Sequence, residues 1–248
     1  MTTKKYDHVG DYCEGLAIVK TNATMTKPTV VLGDVHGLSR WKEIVNENPD
    51  CRYIFLGDYI DPYEPVPRAL LLDNLNEIIQ LKKEQPDHVI LLFGNHDLHY
   101  FYSEVPMSNR FDVRIAKAAA MLFIDNFNLF MYAFQEGNTV FTHAGISHRW
   151  FTEDFKGDTE KDIARQLNRP GLPEQVQALC RCGELRGGTP NTVGGIFWAD
   201  IRELDEPLQG YTQIVGHNRV DDIREHTGND GRIIFCDCLR YGKYLKML

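Results

Sequence analysis

No apolar run in this chain approaches the ~20 residues that a membrane-spanning helix needs, so no membrane partner is expected. The opening stretch, MTTKKYDHVGDYCEG, lacks the apolar core of a secretory signal. Cysteine is sparse: six residues in 248 do not make a disulfide scaffold. Four of them form two C-x-C pairs, Cys180 with Cys182 and Cys236 with Cys238. That spacing is a poorer zinc signature than C-x-x-C, and semi-buried thiols are the expected state. A reducing, cytoplasmic location follows as an expectation. Positive charge is also short, with 27 Lys and Arg against 35 Asp and Glu and a net charge of −8. An extended nucleic-acid groove, which depends on clustered basic residues, is therefore not expected. A small phosphorylated ligand stays open, because bound metals reverse the local sign.

What is present is an ordinary globular composition, 43% hydrophobic and 25% charged, without repeats or low-complexity tracts. A single domain over residues 1–248 is expected, with a polar, helix-favouring insert at about 150–190. Short glycine-bounded fragments stand out, each behind an apolar run: GDVHG at 33–37, GDYID at 57–61 and GNHD at 94–97. His143 in FTHAG and His217 in IVGHN follow apolar runs in the same way.

The runs TVVL, YIFL and VILLF predict buried strands, and LAIVK an earlier short one. Helices are predicted over SRWKEIVNEN, with Ser39 as its cap, over 68–85 and over 112–126. A hairpin is predicted around Glu136-Gly137, from segments 129–134 and 138–142, and YTQIVG, GRIIFCD and GKYLKML are predicted closing strands. The β-α-β-α-β order implies parallel strands, whose carboxyl ends commonly carry the site.

Those ends collect metal-ligand chemistry. Asp34 and His36, one residue apart on a tight turn, offer an anionic oxygen and an imidazole nitrogen. Asp58 has an oxygen for each of two metals, Asn95 an amide oxygen, and His143 and His217 further imidazoles. Mixed nitrogen and oxygen donors suit manganese, with iron, zinc or nickel next, better than calcium or magnesium. Two such ions about 3.5–4 Å apart clamp a phosphate and acidify a bridging water. Taken singly, each fragment also reads as a strand-ending turn or a core histidine. Five in series at apolar strand ends do not.

The five fragments together resemble the calcineurin-like metallophosphoesterases, in the branch of phosphoprotein phosphatases and symmetrical diadenosine-tetraphosphate hydrolases. The resemblance implies an α/β fold, a central β-sandwich flanked by helices with a dimetal site at strand ends. It implies that Asp34, His36 and Asp58 hold one metal, and that Asp58 bridges to a second held by Asn95, His143 and His217. His96 matches the general acid and Asp61 the carboxylate that orients it; a carboxylate there is expected to raise the imidazole pKa. The implied activity is phosphoester hydrolysis by in-line attack of metal-bound hydroxide. A phosphomonoester, including phosphate on Ser or Thr of a protein, is the first substrate expected. A dinucleoside polyphosphate is the alternative, with Tyr59, Tyr63, Tyr100 or Phe101 as a base slot. A metal-binding regulator without catalysis is the third. The chain departs from the branch after GDYID, where Pro62-Tyr63 replaces a phosphate-binding Arg-Gly. Arg186 is the expected substitute, ahead of Arg68 and Arg110, with Trp198 and Asp200 as a wall of the site. His99 is expected to pack or end a helix, or to touch substrate.

Overall fold

The computed structural model describes residues 27–248 and the backbone of two earlier strands, β1 (Gly10–Cys13) and β2 (Leu16–Val19). Strand β3 (Thr29–Leu32) leads to helix α1 (Arg40–Glu47), β4 (Arg52–Phe55), helix α2 (Arg68–Glu84) and β5 (Val89–Leu92). A four-residue helix α3 (Asn95–Leu98) and helix α4 (Ala116–Asp125) follow, then β6 (Phe130–Met131), β7 (Ala133–Glu136) and β8 (Thr139–Thr142). Short helices α5 (Ile163–Asn168) and α6 (Pro173–Cys180) occupy the polar region before β9 (Thr212–Arg219), β10 (Arg224–Gly228), β11 (Gly231–Asp237) and β12 (Tyr244–Met247).

These strands form two sheets, ordered β1-β2-β12-β3-β4-β5-β6 and β10-β11-β9-β8-β7. Strands β3 to β6 run parallel, as do β8, β9 and β11. Side-chain alternation assigns the two faces. Val31, Ile54, Leu56 and Leu92 pack with Phe141, Ile214, Val215 and Ile234 in the layer between the sheets. Their neighbours Val30, Leu32, Tyr53 and Phe55 turn outward onto Trp41 and Ile44 of α1 and Leu71, Leu75, Ile78 and Ile79 of α2. Both faces are therefore dry, which is why TVVL and YIF read as continuous apolar runs. The expected sandwich flanked by helices is the observed architecture.

Several local expectations change. Ser39 precedes α1 but makes no side-chain capping bond. The helix expected over 112–126 begins only at Ala116, after turns. The segment expected as the first arm of a hairpin splits: β6 joins β5 in the first sheet, and β7 alone pairs with β8. Strand β10, at the edge of the second sheet, was not foreseen because its residues are polar and exposed in part.

Replacing Ile54, wholly buried between the sheets, by Ala should lower the unfolding free energy by about 2–5 kcal/mol. Urea titration would read this as a lower midpoint with an unchanged slope.

Candidate metal centre

Five chain segments meet at the carboxyl ends of β3, β4, β5 and β8 and within β9. Their turns are tight because the segments touch. A Cβ on Gly94 would sit 2.1 Å from Asp58 Oδ1, and one on Gly216 would sit 2.3 Å from Asp34 Oδ1. Glycine is thus required where backbone approaches a carboxylate. Four candidate site residues, His36, Asp58, Asp61 and His217, adopt positive φ between 42° and 61°. Such conformations are uncommon outside glycine and persist only when surroundings hold them.

The restraints are hydrogen bonds between the loops. Val35 and His36 donate their backbone N–H groups to Asp58 O at 3.1 and 2.7 Å. His217 N–H donates to Asp34 Oδ1 at 2.9 Å. Asp97 accepts from the N–H groups of Asp58, Tyr59 and Gly94, each at 2.8 Å. This carboxylate, wholly buried, ties the second and third motifs together.

Within that frame Asp34, His36 and Asp58 form one donor group, and Asp58, His143 and His217 another. Asp58 belongs to both. His36 Nε2 lies 3.7 Å from Asp34 Oδ2 and 3.6 Å from Asp58 Oδ2, while His143 Nε2 lies 3.5 Å from Asp58 Oδ2. Asn95 Oδ1 is 2.9 Å from His143 Nε2. All six candidate ligands are therefore gathered in one place.

The protonation pattern tests whether cations fit. His36 Nδ1 faces Ile60 O at 2.9 Å and His143 Nδ1 faces Leu56 O at 2.8 Å. A carbonyl can only accept, so both Nδ1 atoms carry a proton and Nε2 is the ring atom turned toward the carboxylates. His36 Nε2 and His217 Nε2 are buried with no hydrogen-bond partner among the described residues. Donors bound at about 2.0–2.2 Å to one ion stand at most roughly 4.4 Å apart, which the 3.5–3.7 Å spacings satisfy.

Charge agrees. Burial, then Asp34 and Asp97, push the Asp58 carboxyl well above its usual range. Burial acts likewise on Asp34, but His143 and His36 outweigh it and hold that group low. Burial pushes Asp97 up to about 8 despite its three backbone donors. Burial lowers both His143 and His217, disfavouring their charged forms. What the cluster lacks is positive charge, and divalent cations supply it.

Beside the cluster, Asp61 Oδ2 lies 2.8 Å from both His96 Nδ1 and His99 Nε2, and Tyr100 donates its hydroxyl to Asp61 Oδ1. The expected rise in the His96 pKa does not occur. Burial, aided by His36 and Arg110, outweighs Asp61 and brings it down to about 3. His99 ends α3 as expected and also contacts Asp61.

The arginine candidates separate. Arg68 is in an exposed pair with Asp112. Arg186 is held by Asp200 at 3.0 Å and by Asn218, near His143 and His217. Trp198 lies edge-on to the His217 ring at 6.0 Å. Arg110 reaches His96, with Nη2 2.8 Å from its Nε2, and donates to Asp61 O at 2.8 Å. Of the four aromatics, Tyr59 is core, Tyr100 serves Asp61 and Phe101 packs on Phe93, whereas Tyr63 is 38% exposed beside His36. Asp97 and the buried Asp237 were not singled out from the sequence. Asp97 lies within GNHD, and Asp237 ends an apolar strand as Asp34 and Asp58 follow theirs. None of the described cysteines joins a metal-ligand group.

The calcineurin-like phosphoesterase model matches residues 27–236, and the chain belongs to that family. It is a metal-dependent phosphoester hydrolase. Its fold is similar to that of a cold-active protein-tyrosine phosphatase of a psychrophilic Shewanella species, at 16% identity and a TM-score of 0.52, covering 95% of this chain and 76% of the other. A protein serine/threonine phosphatase from Saccharomyces cerevisiae is also similar, at 16% identity and a TM-score of 0.49, covering 88% and 70%. At these identities the likeness concerns the fold.

Replacing Asp97 by Asn alters no candidate ligand but turns one acceptor into a donor facing backbone N–H. Loss of about 1–3 kcal/mol in stability is expected. Retained divalent metal, measured by plasma mass spectrometry after gel filtration, should fall several-fold; full retention at full occupancy would refute the clamp.

Proposed function

We propose that this chain hydrolyses phosphomonoesters, phosphoserine or phosphothreonine of proteins included, with two divalent cations, manganese first and iron, zinc or nickel as alternatives. Asp34, His36 and Asp58 hold one ion, and Asp58, Asn95, His143 and His217 the other. The observation carrying this is the position of Asp58 in two donor groups at once. Bound there, the ions neutralise charge on the transferring phosphoryl group and activate water. The fold likeness to phosphatases adds support.

The chain's own groups do the rest. Arg186, fixed by Asp200 and Asn218, approaches the phosphate from the His217 side. Arg110 approaches from the His96 side and replaces the arginine missing after GDYID. Without phosphate, Arg110 donates to His96 Nε2, and the Nδ1–H of His96 points to Asp61. When Arg110 turns onto the phosphate, Nε2 is released. The dianion beside it reverses the downward shift, so His96 can hold a proton at Nε2 for the leaving oxygen. In-line displacement then has an acid opposite the attacking water.

Phosphoanhydride substrates such as dinucleoside polyphosphates form a second reading, favoured by the exposed ring of Tyr63 beside His36. A regulator without catalysis is disfavoured by the Asp61, His96, His99 and Tyr100 network, which holding metal does not require. The insert at 150–190 contributes Arg186, and the free thiols fit a reducing cytoplasm.

Turnover of p-nitrophenyl phosphate should vanish in chelator and return with manganese. Asp58→Asn should lower kcat/KM at least ~100-fold, and His96→Asn should lower kcat by about 100-fold with a smaller change in KM. Undiminished activity in chelator, or in Asp58→Asn, would overturn the assignment.

A further inference from the structure

The tyrosine that stands where the branch has Arg-Gly is ringed by arginine. The guanidinium carbons of Arg110, Arg219 and Arg240 lie 3.8, 4.7 and 5.2 Å from the centroid of the Tyr63 ring. They arrive from separate parts of the chain: the segment after α3, the end of β9, and the turn after β11. Most other arginines have a carboxylate partner, as Arg52 has Glu136 and Arg232 has Glu225. Among the described residues, none of these three has a carboxylate within salt-bridge distance. One aromatic face cannot neutralise three guanidinium groups, although it holds them in place. Asp237 feels Arg110 and Arg219, and Asp58 feels Arg110, without pairing with them, so the exposed guanidinium groups of Arg219 and Arg240 remain open to an anion.

Its position says which anion. The Tyr63 ring meets the His36 ring edge-on at 4.7 Å, and Arg110 touches both Tyr63 and His96. The cluster is thus continuous with the candidate metal centre on the His36 and His96 side, where the leaving group departs. Arg186 lies by His143 and His217 and takes no part in it. A simple alkyl or aryl leaving group has no charge to offer these arginines. A second phosphoryl group, joined to the first through one bridging oxygen, does.

We propose that Tyr63, Arg219 and Arg240, linked to the metal centre by Arg110, form an anion subsite for the phosphoryl group next to the one hydrolysed. Beside the phosphomonoesters proposed above, it would favour condensed phosphates, whose units are joined by anhydride oxygens. The inference rests on the hydrolase assignment made above. In the reaction, water oxygen bonds to the terminal phosphorus while the anhydride P–O bond breaks. The bond's electron pair stays on the oxygen of the shortened chain, where the arginines stabilise it. One water is consumed and one orthophosphate is released, with no redox change.

The test compares kcat/KM for tripolyphosphate and for p-nitrophenyl phosphate, with manganese in excess, in the wild type and in an Arg219→Ala, Arg240→Ala double variant. Both side chains are exposed, so the variant keeps the core intact. The ratio of the two constants should fall at least tenfold in the variant, as loss of charge-assisted contacts implies. Calorimetric titration of metal-free protein with tripolyphosphate should show binding at least about tenfold weaker in the variant. An unchanged ratio with unchanged binding overturns the subsite while monoester turnover leaves the hydrolase assignment standing. So does equal loss on both substrates. A wild type inert on both substrates instead defeats the hydrolase assignment, and the calorimetry alone then decides the subsite.

Discussion

Two aspartates and three imidazoles converge on one dry space, and almost everything else in the molecule serves to keep them there. Asp58 is the hinge of this arrangement. One carboxylate oxygen accepts from the His96 N–H at 2.8 Å, and the other faces His36 and His143. Burying Asp34 and Asp58 together without cations is costly, as the upward shift of Asp58 reports. Occupancy would offset that cost, so metal binding and fold stability are linked. Metal at 1,000 times its Kd would add about 4 kcal/mol to stability.

The ligands also support one another through the backbone. The Asp34 carboxylate fixes His217, which arrives much later in the chain, and the Asp58 carbonyl fixes His36. Four left-handed residues in so small a region, each costing on the order of 1–3 kcal/mol, need that mutual restraint. Asp97 contributes most, because three backbone donors end on it. The site is consequently a set of coupled turns rather than a list of side chains. Disturbing one turn moves ligands from two others.

Much of this was legible in the chain itself, for identifiable reasons. Strands buried on both faces advertise themselves as apolar runs, so β3, β4 and β5 could be read, and the motifs at their ends with them. Strand β10 could not, since an edge strand of Arg, Glu, His and Thr has no apolar signal. The aromatics misled: Tyr59 looked available for a nucleobase but donates its hydroxyl to Leu92 O within the core. His96 misled in the opposite sense, because a partner carboxylate is visible in sequence and depth of burial is not. Asp97 lay in plain view within GNHD, yet its work is on backbone N–H groups that no pattern of side chains reveals.

Arg219 and Arg240 were hidden for a different reason: only the return of β9 and β11 beside β3 brings them to Tyr63. Their placement changes what specificity means for this site. On the proposed function, metals and Arg186 would act on any phosphoryl group and so confer rate without discrimination. Groups on the leaving side contribute only when the leaving group carries charge, and therefore select among substrates. An acidic surface repels polyanions at long range, so a local guanidinium cluster at the mouth must work against that field. Raising salt screens the distant repulsion more than the close contacts. Discrimination in favour of a polyanion at this site should then survive ionic strengths that weaken ordinary electrostatic steering.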